Sequence, residues 1–119
     1  MNFRMLNESF SVAPQLGPED VAGVAARGFA TLVNNRPDGE GGSSQPLNRD
    51  LERAAQAAGL RYVFLPVVSG AITAEQVEAM RQTLATEPAP VLAFCRSGAR
   101  SAQLYALAQA GDGSAGKTS

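Results

Sequence analysis

Val91-Leu92-Ala93-Phe94-Cys95-Arg96-Ser97-Gly98-Ala99-Arg100-Ser101 runs from four apolar residues, through a cysteine and a short loop, into a helix expected over 101–110. An unbroken apolar run of this length reads as a strand covered on both faces, and it delivers the cysteine directly. The loop turns successive backbone N–H groups toward one concavity, a nest for an anion. The helix sets the positive end of its dipole beneath the sulfur. Gly98 permits torsions that a Cβ resists and lets a ligand approach closely. Arg100 can fold back as a bidentate clamp on an oxyanion. Together these favour a thiolate at Cys95, with a pKa well below the ordinary thiol range. Ser101 can donate a hydrogen bond to the sulfur. The bland alternative makes Cys95 a small buried hydrophobe behind a core strand. Two arginines and a glycine within five residues of it, at a strand-to-helix turn, favour the chemical reading. Arg96 stays open between steering anions and lying solvated.

Working outward, short segments at 3–6 and 9–12 read as edge strands. Gly17-Pro18-Glu19-Asp20 opens a helix, with Pro in the first turn and acids at the positive dipole end, and Gly28 closes it. Residues 29–34 form a strand, and 35–46 a loop rich in Gly, Ser and Pro. Asn48 is expected to cap a second helix through Ala58, closed by Gly59. The apolar run at 62–67 reads as a strand covered on both faces. Thr73-Ala74-Glu75-Gln76 fits a capping box opening a third helix to about Thr86. Alternating helices and strands predict an α/β fold: one domain over 1–110 with a small, mostly parallel sheet flanked by helices. Residues 111–119 read as a flexible Gly/Ser-rich tail. Ligands bind such sheets at the carboxyl ends of the strands. The loops at 35–46, 68–72 and 95–100 meet there.

The bulk composition narrows the function. The 119 residues suffice for one compact domain, and 45% are hydrophobic. A net charge of −1 without a basic stripe argues against nucleic acid. No apolar run approaches a membrane span and the start lacks a signal core, so the expected location is cytoplasmic. One cysteine and no histidine exclude an internal disulfide and a zinc site built on Cys and His. The same absence removes every Ser-His-Asp and Cys-His scheme within this chain. No cofactor or metal is called for.

Other polar features have ordinary explanations. Pro37-Asp38-Gly39 is turn chemistry, yet two asparagines, Arg36, Asp38 and Glu40 crowd one strand end, which places Arg36 or Asp38 at the site rim. Glu40 could instead pair with an arginine. Thr73 reads as a helix cap, and Tyr62 and Tyr105 as packing residues. The glycines at 39–42 lack the Gly-Lys-Ser ending of a phosphate loop.

The motif Cys95-Arg96-Ser97-Gly98-Ala99-Arg100-Ser101 resembles the active-site loops of two related sets. Tyrosine and dual-specificity phosphatases place five residues between Cys and Arg, whereas rhodanese sulfurtransferases place four, as here. Asn34-Asn35-Arg36-Pro37-Asp38-Gly39-Glu40, Leu65-Pro66-Val67 and the Cys95 loop together resemble the phosphatase-like domain of the beta-lactamase-hydrolase-like family. That resemblance covers about residues 1–110 and implies a dual-specificity-phosphatase-like fold. It also implies a metallo-beta-lactamase-type hydrolase as partner, since family members occur alone or fused to one. Carried over, it implies Cys95, Arg100 and Ser101 as catalytic residues, with Arg36, Arg96, Ser97, Gly98, Ala99 and Arg100 binding the anion. Two departures stand out. Phe94 occupies the place of the usual histidine, and Pro66-Val67-Val68-Ser69-Gly70 holds no carboxylate where a general acid would stand. Asp38, on the neighbouring loop, is the expected substitute. Three functions remain open at this point: phosphoester hydrolysis through a phosphocysteine, sulfur transfer through a persulfide, and anion binding without catalysis. The shorter loop and missing acid suit the second; the extent of the resemblance suits the first.

Overall fold

The computed structural model describes residues 2–118, with side chains through residue 110. Its centre is a five-stranded sheet in the order β1-β2-β5-β3-β4, comprising β1 (Arg4–Asn7), β2 (Phe10–Ala13), β3 (Thr31–Asn34), β4 (Arg61–Phe64) and β5 (Val91–Phe94). β1 pairs antiparallel with β2; every other pairing is parallel. Between the strands lie α1 (Val21–Ala26), α2 (Asn48–Ala57) and α3 (Ala74–Thr86), and α4 (Ala99–Thr118) follows β5. The fold is the α/β architecture expected from the alternation. The expected tail at 111–119 falls outside the residues described with side chains.

β5 is central because all four of its residues can be buried. Alternation sends Val91 and Ala93 to one side and Leu92 and Phe94 to the other. On the first side they join Phe10, Val12, Val33, Met80 and Leu104, beneath α3 and α4. On the second they join Leu32, Val21, Val24, Leu51 and Ala55, beneath α1 and α2. Burial of whole strands on two faces fixes their register, since a one-residue slip would exchange the two cores.

Four sequence expectations are corrected. β2 is interior, paired on both sides, and all four of its residues are buried. β4 is a sheet edge and only half-buried; the buried members of the 62–67 run are Leu65 and Val67, which lie past the strand's end. Leu47, not Asn48, is the N-cap residue of α2, and the Asn48 N–H is met by the Asp38 carboxylate at 2.7 Å. α4 begins at Ala99 rather than Ser101, so Arg100 and Ser101 belong to its first turn. Thr73 does cap α3: its hydroxyl accepts from the Gln76 N–H, and Gln76 answers with its side chain. No helix among the described residues is long and apolar enough to cross a membrane.

Candidate active site

The ends of β3, β4 and β5 are tied together by Asn35, which is fully buried. Its N–H donates to the Phe94 carbonyl at 2.9 Å and its Nδ2 to the Leu65 carbonyl at 2.9 Å. Its Oδ1 accepts from the Ser101 hydroxyl at 2.8 Å, and its carbonyl accepts from Val67 N–H at 3.0 Å. One side chain thus fixes the edge of the sheet to the first turn of α4. Asn34 works beside it, its Oδ1 accepting the Arg36 N–H at 2.9 Å and so aiming the next residue. Burial pushes the Tyr62 phenol up to about 12. Its oxygen bonds Asn48 and Asn34, so it serves as a half-buried strut.

Cys95 sits at the end of β5 and is buried, 1% exposed. The loop after it turns on Gly98, whose φ of +96° an L side chain rarely adopts. A Cβ there would also lie 3.4 Å from the Ala13 backbone of β2. The turn aims the Gly98 N–H at the Cys95 sulfur, 3.1 Å away. Burial pushes the thiol pKa up, but the Ser101 and Gly98 N–H groups, the Ser101 hydroxyl and the Ser97 N–H more than offset it, and the net shift is downward. The Ser101 hydroxyl has one proton, contested by Asn35 and the sulfur. The loop thus turns the Ser97, Gly98 and Ser101 N–H groups toward the sulfur and lowers its pKa.

Arg100 lies 9% exposed along the same cavity. Its Nη1 and Nη2 each donate to a Glu40 carboxylate oxygen at 3.0 Å, and Nη1 also donates to the Val67 carbonyl at 2.9 Å. Glu40 so holds the end of the guanidinium. The remaining edge carries Nε, which is buried and has no acceptor among the described residues. A buried N–H without a partner is costly. Arg36 adds to Glu40 from the other side, Nε to Oε1 at 2.8 Å, while its Nη1 reaches Gln15 at 3.2 Å. The Arg100 fork, and after it Arg36, hold the Glu40 carboxyl below the ordinary carboxylate range against the upward push of burial.

The cavity has a volume of about 690 Å³ and is lined by Cys95, Arg96, Ser97, Ala99 and Arg100 together with Arg36, Glu40, Gly41 and Ser69. Of the expected anion-binding residues, Arg36, Arg96, Ser97, Ala99 and Arg100 line the cavity with Cys95, and Gly98 meets the sulfur through its N–H. Arg96 is exposed at the rim. Asp38 does not join them. It is exposed, absent from the lining, and its Oδ1 is engaged at the start of α2. Glu40 and Asn35 are the residues that sequence reasoning undervalued. Glu40's signal was its position four residues after Arg36. Asn35 was visible only as a polar residue directly following a buried strand.

A cysteine whose pKa is lowered by backbone N–H groups and an arginine lining the same cavity stand at the carboxyl edge of a parallel sheet, on a phosphatase-like α/β fold. The chain belongs to the family described as beta-lactamase hydrolase-like protein, phosphatase-like domain, whose model matches residues 2–112. Beta-lactamase hydrolase-like proteins of Xylella fastidiosa and Agrobacterium fabrum are 38% and 40% identical to it over 108 residues. Those matches cover 91% of this chain and 25% of each relative, so the chain spans a quarter of the length of these curated relatives. A solved structure described as that of a candidate phosphatase from Neisseria meningitidis superposes with a TM-score of 0.80 at 34% identity, covering 88% of this chain and 74% of that one. The fold and the phosphatase-like family are those expected from the motif.

Proposed function

We propose that the protein is a cysteine-dependent phosphatase-like hydrolase whose nucleophile is Cys95. The observation that carries this reading is that Arg100 and Cys95 line one cavity, with backbone N–H groups and the Ser101 hydroxyl lowering the thiol pKa. In the proposed reaction Sγ attacks phosphorus, the S–P bond forms, and the P–O bond to the leaving group breaks, its electron pair departing on that oxygen. The N–H groups of the 96–100 loop and the Nε edge of Arg100 take the phosphoryl oxygens, where charge accumulates in the transition state. Water then hydrolyses the phosphocysteine, and the Ser101 hydroxyl stabilises the departing thiolate. Glu40 is a positioning residue that aims Arg100. The general-acid role expected of Asp38 has no support in its placement, and Glu40 is a poor proton donor while two arginines hold it ionised.

Among the described residues lining the cavity the carboxylate is Glu40, held by two arginines, which favours a second reading, sulfur transfer through a Cys95 persulfide, because sulfite leaves thiosulfate as a stable anion. The four-residue spacing from Cys95 to Arg100 supports it as well. Anion binding without turnover is the third reading. Since the curated relatives are four times longer, we also propose that the domain works alongside a hydrolase of the metallo-beta-lactamase type. Parallel assays with an aryl phosphate and with thiosulfate plus cyanide, each repeated on Cys95→Ser, test the proposal. Aryl phosphate turnover lost in Cys95→Ser is the expected result. Thiosulfate turnover alone, lost in the same variant, would replace hydrolysis with sulfur transfer. Neither activity would leave an anion-binding module.

A further inference from the structure

Resting on Cys95 as a phosphoryl acceptor, a narrower statement about the substrate follows from two features that the attack itself does not use. The first is the leaving-group side of the cavity. An alkoxide leaving an alkyl phosphate needs a proton in the transition state, and its absence costs ~10²–10⁴ in rate. Glu40 is the lining carboxylate, and both its oxygens are occupied by guanidinium donors. The second is surplus positive charge. Arg36, Arg96 and Arg100 line the cavity against Glu40 and the Cys95 thiolate, which leaves one positive charge there before a ligand enters. Arg100 supplies the clamp, so Arg36 and Arg96 are the arginines beyond it. Arg36 is nine-tenths buried and held in place by Glu40 and Gln15. Gly41 makes room for it, since a Cβ at 41 would lie 2.8 Å from Arg36 Nη2. A buried arginine built into the cavity wall, together with Arg96 at the rim, suits a second anionic group on the ligand. None of the residues lining the cavity is aromatic, so there is no ring surface to grip an aryl substrate.

We infer that the substrate is a phosphoanhydride: its terminal phosphoryl group sits in the 95–100 loop and its next phosphate lies against Arg36 and Arg96. This choice removes the need for an acid. The leaving group is a phosphate, stable as an anion, and it is stabilised by charge rather than by a proton. In the first step the Cys95 Sγ–P bond forms and the bond from the terminal phosphorus to the bridging oxygen breaks. The electron pair goes to the leaving phosphate, held by Arg36 and Arg96. In the second step water attacks phosphocysteine, the S–P bond breaks, and orthophosphate departs. Of the two water protons, one stays on orthophosphate and the other passes to solvent or the first phosphate. The thiolate is regenerated, and no oxidant or reductant is consumed.

The test compares kcat/KM on inorganic pyrophosphate, adenosine diphosphate, β-glycerophosphate and p-nitrophenyl phosphate, without added divalent cations that would mask the anion's charge. At least one anhydride should be cleaved more than tenfold faster than β-glycerophosphate; whichever of the two is preferred tells an inorganic from an organic source. Arg96→Ala, at an exposed position that should not disturb folding, should lower kcat/KM on the preferred anhydride at least fivefold more than on p-nitrophenyl phosphate. Cys95-dependent turnover of p-nitrophenyl phosphate, with both anhydrides no better than β-glycerophosphate, overturns this inference and leaves the nucleophile standing. Equal losses in Arg96→Ala on both substrate types also overturn it. No Cys95-dependent turnover of any phosphate overturns both readings.

Discussion

Replacing Glu40 with alanine removes the acceptor of three charge-assisted hydrogen bonds, two from Arg100 at 3.0 Å and one from Arg36 at 2.8 Å. It leaves two guanidinium groups without their shared counter-ion. The arginine side chains are 8% and 11% exposed, and the glutamate 27%. Breaking a fully buried pair costs roughly 3–5 kcal/mol, whereas exposed pairs are worth about 0–1 kcal/mol. Glu40 lies between, since water can enter the space it vacates, so a loss of about 2–3 kcal/mol is expected. For a domain of this size that lowers Tm by on the order of 10 °C. The pH dependence supplies a sharper signature. Glu40's folded pKa is depressed from its ordinary value of 4.5. Its contribution is therefore fully present above pH 4.5 and is lost as pH falls through the folded value. Urea unfolding of wild type and Glu40→Ala between pH 3 and 8 should show a constant gap above about pH 5, closing toward acid. A Glu40→Gln variant, still able to accept one bond, should fall between them. Equal stabilities at pH 7, or a gap that persists unchanged to pH 3, would refute the assignment of Glu40 as the anchor of Arg100.

Three further outcomes are expected. Iodoacetamide alkylation of Cys95 against pH should inflect below the position of free cysteine, because N–H groups and a hydroxyl favour the thiolate; an inflection at the ordinary thiol value contradicts this. Asn35→Ala should cost about 2–4 kcal/mol in denaturant unfolding, since it opens a small void and leaves the Leu65 carbonyl and the Ser101 hydroxyl without their partner; a loss under about 0.5 kcal/mol would show the tie to be dispensable. Asp38→Ala should lower stability by about 1 kcal/mol, as the loss of a helix-terminal acceptor does, while aryl phosphate turnover changes less than threefold; a hundredfold loss of turnover would restore Asp38 as the acid.

Most of the site was legible because its chemistry is local. Cys95, Gly98, Arg100 and Ser101 lie within seven residues, and a strand running into a helix fixes how they face one another. The core order was legible from alternation, since Val91–Phe94 can only be buried on both faces. Strand position was not. The 62–67 run is as apolar as β5, and its place at the sheet edge depends on pairing that no local pattern records. The Glu40–Arg100 fork spans sixty residues of sequence, and its geometry follows from the path of loop 35–46 over the sheet edge. The place of Asp38, away from the cavity, was hidden for the same reason. One residue separates it from Glu40, and the turn at that residue, Gly39, with φ of +80°, sends one carboxylate to a helix end and the other to the cavity.

The central claim is that Cys95 accepts the transferred group. Acid-quenching the protein during turnover of p-nitrophenyl phosphate, then mass analysis of the peptide holding the chain's one cysteine, tests it directly. The account predicts one added phosphoryl group on Cys95, absent from Cys95→Ser, which should not turn over. A Cys95→Ser variant that retains turnover, or an adduct found on another residue, would contradict it.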